Sequence, residues 1–191
     1  YDYYGVPVAA YYATKKACEP LQLIYNYKDH NVYAVNEGKE SMDVVATVKI
    51  YDADSKLIDE QSRTFSSAYR KTVKAFDLNS FQGTAHFVAL ELADADGRFI
   101  ADNFYCIGAK PNVYDWEDFT WYYTPVTEFT DLRFAFAQPE PEIAMAVEEN
   151  DGVYIVTLEN KSQTISYMNI LKAKDASGNL VVPAFWSDNF F

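Results

Sequence analysis

The sequence predicts an all-β chain of tandem sandwich modules with one short helix ahead of them. Three observations predict it. Val44, Ala46, Val48 and Ile50 alternate with Val45, Thr47, Lys49 and Tyr51, the period of two that a half-buried strand shows. Short apolar runs recur at roughly 8–12-residue spacing between turn signals. Only residues 8–18 read as a helix.

The helix is the first element. Pro7 suits a first helical position, and Val8 to Cys18 is rich in Ala and free of Gly. Val8, Tyr11, Tyr12 and Lys15 share one face, and Ala9, Ala13 and Ala17 lie nearer another. Glu19-Pro20 stops it, because the residue before proline resists helical geometry. Strands follow at Leu21–Tyr27, Val32–Val35, Val44–Tyr51, Leu57–Phe65, Thr72–Leu78, Ala85–Leu92 and Phe99–Ile107. About seven strands in this span have the count and spacing of an immunoglobulin-like sandwich over 20–108. Its turns, Lys28-Asp29-His30-Asn31, Asp52-Ala53-Asp54-Ser55 and Asp94-Ala95-Asp96-Gly97, lean on Asp, Asn and Ser, whose side chains bond their own backbone.

Residues 109–141 break the rhythm. Asp115 to Pro125 is dense in aromatics without alternation, and Gln138-Pro139-Glu140-Pro141 reads as a stiff linker. Strands return at Ile143–Val147, Val153–Leu158 and Ile165–Ala173, and Asn150-Asp151-Gly152 signals a hairpin. This second sandwich, 142–191, is expected to be truncated. The two modules echo each other. Asp94-Ala95-Asp96-Gly97 leads to Asp102-Asn103-Phe104, and Asp175-Ala176-Ser177-Gly178 leads to Asp188-Asn189-Phe190.

Composition sets bounds. The 191 residues include 16 Lys and Arg against 28 Asp and Glu, a net charge of −12, with 49% hydrophobic and 17% aromatic residues. That hydrophobic content supplies a core and excludes wholesale disorder. An acidic chain without basic clusters repels phosphate backbones, so nucleic acid is not an expected partner. No apolar run nears the roughly 20 residues of a spanning helix, so no membrane is expected either. The start lacks a signal peptide's pattern and the end is an apolar pair, so a cut at both ends is expected. Cys18 and Cys106 have no metal spacing and read as two free, mostly buried thiols.

Few residues point to chemistry. Glu140 and Glu142 flank a linker proline, and Glu148 and Glu149 precede a hairpin, so all four read as solvated acids. His30 sits in a turn, and His86 alternates with Val88 and Leu90 as a packed strand residue. There is no nucleophile elbow and no phosphate loop. Asp94-x-Asp96-Gly97 lacks the closing Glu of a calcium loop and reads as a turn. Asn160-Lys161-Ser162 fits a glycosylation sequon, and a turn explains it equally. No catalytic residue, metal or cofactor is expected. The aromatics Trp116, Trp121, Tyr122 and Tyr123 remain. They suit either a sugar-stacking platform or the glue between domains, and glue is the favoured reading.

Several segments together resemble the C-terminal part of glycoside hydrolase family 2, in its exo-β-D-glucosaminidase and β-mannosidase branch. They are Tyr3-Tyr4-Gly5-Val6-Pro7 through Leu21, Asp102-Asn103-Phe104-Tyr105, Asp115-Trp116 with Trp121-Tyr122-Tyr123-Thr124-Pro125, and Ser187-Asp188-Asn189-Phe190-Phe191. Cys106 stands where that family commonly has Trp, Phe190 where Tyr is usual, and the family's Leu-Pro-Gly-type turn is missing. The resemblance implies that residues 1–19 are the last helix of an upstream (β/α)8 catalytic barrel. It implies a retaining parent enzyme whose two catalytic glutamates, about 5–5.5 Å apart, lie outside this chain. The barrel of the same polypeptide would then be the main partner, braced by the sandwiches. Oligosaccharide contact, a weak homodimer through the Tyr11/Tyr12 helix face and a periplasmic or secreted location are the further expectations. A carbohydrate-binding module using Trp116 and Trp121 is the alternative. A cell-surface adhesion sandwich, the third class, requires a self-contained second module.

Overall fold

The structure, a computed structural model, describes residues 1–182 and 184–190. In chain order its elements are α1 (Ala9–Ala17), β1 (Leu21–Asn26), β2 (Asn31–Asn36), β3 (Met42–Asp52), β4 (Leu57–Ser67), β5 (Lys71–Asp77), β6 (His86–Asp94), β7 (Phe99–Ile107), β8 (Val113–Tyr114), β9 (Val126–Glu128), α2 (Arg133–Phe136), β10 (Ile143–Asn150) and β11 (Val153–Asn160). They form two compact units. One is Pro20–Glu140, and the other joins Tyr1–Glu19 to Pro141–Phe191.

Pro20–Glu140 is a sandwich. One sheet has the order β1-β2-β5 and the other β4-β3-β6-β7, all antiparallel. The fourth strand pairs with the third, which departs from the constant-type immunoglobulin arrangement, where it joins the first sheet. The alternation in β3 sets the register. Val44, Ala46, Val48 and Ile50 are fully buried and meet Val32, Ala34, Ala75, Leu78, Val88, Leu90 and Leu92 in one core. The same register pairs Val48 with Leu90 and Ile50 with Val88. The buried Asn36 donates from Nδ2 to the carbonyls of Ser67 (2.9 Å) and Glu40 (3.0 Å), so its burial leaves no orphan donor.

Among the described residues one turn is used four times. Asp94 Oδ1 accepts from the amides of Asp96 (2.9 Å) and Arg98 (2.8 Å), and Gly97 has φ +80°. Asp52 does the same for Asp54 and Lys56 with Ser55 at φ +68°, and Asp2 for Tyr4 and Val6 with Gly5 at +77°. Asp175 binds Ser177 and Asn179 (2.9 Å each) around Gly178 at +85°. The left-handed residue suits glycine, and the aspartate replaces the backbone partners that the turn removes. The Asp94 and Asp175 segments thus share a geometry as well as a spelling, and Asp94 is a turn residue.

The second unit holds the β10–β11 hairpin. Asp151 (φ +50°) and Gly152 (φ +79°) close it with Asn150 opposite Val153, the positive-φ pair a two-residue hairpin requires. At its open end, Asn160 Oδ1 accepts from the amide (3.0 Å) and hydroxyl (2.7 Å) of Ser162, so the sequon lies in a turn. The expected third strand, Ile165–Ala173, does not form. Met168 at φ +57° interrupts its extension, and Ser166 bonds Asn169 side chain to side chain (2.8 Å). Among the described residues strand-like pairing continues here in the bridge Lys174↔Leu180 and the bond from the Val181 amide to the Ala173 carbonyl (2.9 Å).

α1 starts two residues later than Pro7 suggests, with Val8 as its N-cap. Its Tyr12 is buried rather than free. The ring lies 6.0 Å from that of Phe190, Lys15 Nζ donates to the Ser187 carbonyl, and Lys16 stands 3.9 Å from Asp188. The expected Tyr11/Tyr12 docking face is therefore half covered by the chain's own 187–190 segment. Asn189, also buried, fixes that segment. Its Oδ1 accepts from the Leu171 amide (2.8 Å) and its Nδ2 donates to the Leu171 carbonyl (3.0 Å). Phe191, the last residue of the motif seen in the sequence, lies outside the described residues. Cys18 is exposed, against expectation, because it is the C-cap of α1, where the helix turns toward Pro20; Cys106 is half-buried.

Candidate functional site

The aromatic connector is a small finger with a clamped base. β8 and β9 form a two-stranded ribbon, with Val113 opposite Glu128 and Tyr114 opposite Val126. The Asp115 amide donates to the Pro125 carbonyl (2.9 Å), and Asp115 Oδ1 accepts from the amides of Glu117 (3.0 Å) and Asp118 (3.2 Å). Thr120 and Tyr123 exchange backbone bonds of 2.9 and 3.3 Å, so Trp121 and Tyr122 are the two residues at the tip of a tight turn. Trp121 is 89% exposed and Trp116 70% exposed. Tyr122 and Tyr123 are exposed as well.

The ring contacts divide the four residues singled out in the sequence. Trp116 packs with Tyr114 (centroids 5.5 Å) and Phe119 (6.3 Å), whereas Trp121 packs edge-on with Tyr122 (5.1 Å, 78°). The aromatics thus lie exposed in two groups, one cluster beside the ribbon and one at the tip. Large apolar rings held in water are unfavourable unless something covers them.

The base is held by residues that the alternation pattern did not flag. Phe87 sits on β6 off the register of Val88 and Leu90, yet it is fully buried. Phe134 of α2 covers it at 5.0 Å, and Phe104 stacks at 5.7 Å. Gln138 anchors the end of the connector, with Nε2 donating to the Ala53 (2.5 Å) and Phe134 (2.9 Å) carbonyls and Oε1 accepting from Ser55 Oγ (2.6 Å). At the other end, a side chain on Gly108 would collide with Thr130 Oγ1 and stand 3.0 Å from the Asp131 carbonyl oxygen, so glycine is required there. Arg133 grips Asp131 through Nε and Nη2 (2.9 and 2.6 Å), and this hydrogen-bonded guanidinium pulls the Asp131 carboxyl down to about 2. An aromatic at an outward strand position is the signal that could have revealed the clamp.

The titratable groups offer little chemistry. Glu140, Glu142, Glu148 and Glu149 are exposed, and Glu148 and Glu149 face opposite sides of the hairpin, across from Ile155 and Tyr154. His86 is buried, with Nδ1 2.8 Å from the Thr84 carbonyl, and burial lowers its pKa. His30 Nδ1 lies 2.6 Å from the Tyr25 hydroxyl. Among the described residues, no three His, Cys, Asp or Glu side chains converge on one metal-sized point, and no helix is long and apolar enough to cross a membrane.

Comparison with known proteins places this geometry. Residues 28–108 match the family described as the mannosidase Ig/CBM-like domain, and residues 121–191 match the exo-β-D-glucosaminidase Ig-fold domain. An exo-β-D-glucosaminidase of Arthroderma benhamiae is 30% identical over 196 residues, covering 100% of this chain and 22% of its own length. One from Streptomyces avermitilis is 28% identical over 94% of this chain and 21% of its own. The crystal structure of the Amycolatopsis orientalis exo-chitosanase CsxA is similar with a TM-score of 0.85 and 26% identity, over 95% of this chain and 23% of that one. The chain therefore spans about a fifth of the length of the relatives it matches.

Proposed function

We propose, for a chain made of the immunoglobulin-like domains of the exo-β-D-glucosaminidase and mannosidase families, the role of a non-catalytic brace for the catalytic barrel of a longer exo-β-glycosidase. The observation that carries this reading is the finger. Its base is clamped by Phe134 and Gln138, while Trp116, Trp121, Tyr122 and Tyr123 stay exposed. A rigid mount with outward aromatics suits a fixed domain contact, because the entropy of ordering the surface is already lost. In this reading residues 1–19 are the barrel's last helix, and the two glutamates of a retaining mechanism stand on the barrel. The exo-β-D-glucosaminidase relatives favour a glucosaminidase over a mannosidase as the parent. A periplasmic or secreted location belongs to the same reading, and a leader sequence at the start of the upstream reading frame would test it.

The chain alone is expected to leave nitrophenyl β-D-glucosaminide and β-D-mannoside uncleaved. Added in trans to the upstream part of its polypeptide, it is expected to raise the melting temperature of that part, and the Trp116→Ala/Trp121→Ala variant to raise it less. Turnover by the chain alone, or an upstream part indifferent to it, overturns the proposal. One observation favours a second reading, a carbohydrate-binding module: the tip pair Trp121 and Tyr122 is the most exposed part of the finger's aromatic set. Titration with chito- and manno-oligosaccharides that leaves tryptophan fluorescence and calorimetry flat removes it.

A further inference from the structure

One end of the sandwich, beside the base of the finger, carries a concavity of about 1220 Å³. It lies where the β1–β2 turn, the link into β6 and the exit of β7 gather. It exceeds the roughly 300–1,000 Å³ of ordinary ligand pockets, so it has room for several sugar rings. Three features of its lining stand out.

The first is charge. The chain carries 28 acidic residues against 16 basic ones, yet among the described residues no aspartate or glutamate lines this concavity, while Lys28, Lys110, His30 and His86 do. Nearby acids are engaged elsewhere. Asp29 accepts from the Tyr33 hydroxyl (2.7 Å) and the Asn31 amide (3.1 Å), and Asp131 is gripped by Arg133. The second is the rim, where the exposed rings of Trp116, Tyr114 and Tyr27 supply apolar faces. The third is His86, which is buried. A carbonyl only accepts, so the 2.8 Å contact with Thr84 puts the proton on Nδ1. Nε2 is then a bare acceptor, and it is a buried polar atom without a partner. Such an atom is costly to leave unmet.

From this lining we infer that the concavity binds an acidic saccharide, with the sugar ring on the aromatic rim, its anionic group between Lys28 and Lys110, and one hydroxyl donating to His86 Nε2. A protonated amino sugar is the wrong ligand, since Lys28 and Lys110 would repel it and no acid lines the concavity to hold it. The site shares Trp116 with the proposed bracing surface but not Trp121, which does not line it.

The experiment titrates the whole chain with tetragalacturonate, a sulfated heparin tetrasaccharide, mannotetraose and a glucosamine tetramer. Tryptophan fluorescence, calorimetry and the ¹⁵N shift of His86 Nε2 are followed. The two acidic probes separate carboxylate from sulfate ester as the source of the anion. The expected result is binding by at least one of them, weakened by added salt and about tenfold tighter than by the neutral and cationic tetramers. Binding should fall about tenfold in Lys28→Gln/Lys110→Gln, two exposed positions that leave the core intact, and be unchanged in Trp121→Ala. The His86 Nε2 shift should move with saturation. Silence of both acidic probes, equal binding by mannotetraose, or a double lysine variant that binds like the parent overturns the inference.

Discussion

β3 and β10 are spelled alike and live differently. In β3, Val44, Ala46, Val48 and Ile50 are wholly removed from water. In β10, Met145 and Val147 alternate in the same way, opposite Leu158 and Val156 of β11, yet they are 65% and 53% exposed. Alternation therefore sets which side chains share a face, and the neighbours decide whether that face is dry. β3 has β4 and β6 as its own partners and the β1-β2-β5 sheet facing it. Among the described residues the β10–β11 hairpin pairs only with itself. A two-stranded ribbon is marginal in water by itself, so the hydrophobic term that fixes the register of β3 is weak here.

The sharpest way to break this comparison is to place the same charge at both positions. Val48→Asp puts an unpaired carboxylate into a closed core and is expected to cost more than about 4 kcal/mol, enough to unfold a sandwich of ordinary stability. Val147→Asp, on the exposed face of β10, is expected to change stability by no more than about 0.5 kcal/mol. Urea denaturation followed by circular dichroism reads both. If the two variants lost similar stability, either β3 would not face the core or β10 would be buried.

A finer contrast uses the echo. Asn103 and Asn189 hold matching places in Asp-Asn-Phe, and both hand a side-chain amide to a distant backbone. Asn103 Nδ2 donates to the Leu23 carbonyl at 2.6 Å, whereas Asn189 makes both bonds to Leu171. Leu23 lies in β1, whose ladder with β2 is already formed. Leu171 lies where the expected strand failed, so Asn189 is in effect its neighbouring strand. Asn189→Ala should cost about 2 kcal/mol locally, two bonds and a buried donor left unmet, and speed exchange of the Leu171 amide roughly thirtyfold. Asn103→Ala should cost about 1 kcal/mol and leave β1 exchange slow. Equal effects on the two segments would show that the echo is one of spelling alone.

The first sandwich was nearly all legible in the sequence, because its strands are short, alternating and bounded by Asp-rich turns. The Asp52, Asp94 and Asp175 turns were readable for the same reason, since the aspartate makes its own bonds within four residues. What was not legible is non-local. Phe87 falls on the outward register of β6, and Phe134, 47 positions on, covers it together with Phe104. Ile165–Ala173 has the composition of a strand, but a strand also needs a ladder, and periodicity says nothing about who supplies it. Tyr12 was readable as one side of a helix face, but the segment that covers it comes from the other end of the chain. The aromatic residues of the finger were visible as a cluster, while their division into a Trp116 group and a Trp121 tip came from the Thr120–Tyr123 turn.

The mildest test touches no stability at all and compares the two thiols, one in each unit. Cys18 caps a helix in water. Cys106 is half-buried on β7 opposite Phe87, and burial pushes its thiol up to about 11. Only the thiolate attacks an alkylating agent. A raised pKa means that Cys106 holds its proton through neutral and mildly alkaline pH and loses it only as the pH approaches that value. Iodoacetamide at pH 8 should therefore label Cys18 to completion and spare Cys106, with the second label appearing as the pH rises toward 11, read as mass increments on the intact chain. Cys106 should become as reactive as Cys18 at pH 8 in urea, where its burial is lost. If instead both thiols took the label together in the folded protein, the outer face of β7 would be open to water at Cys106 as it is at Asp102. The packing of Phe134 over Phe87, the cross-strand neighbour of Cys106, would then have to be given up along with the rigid mount it provides for the finger.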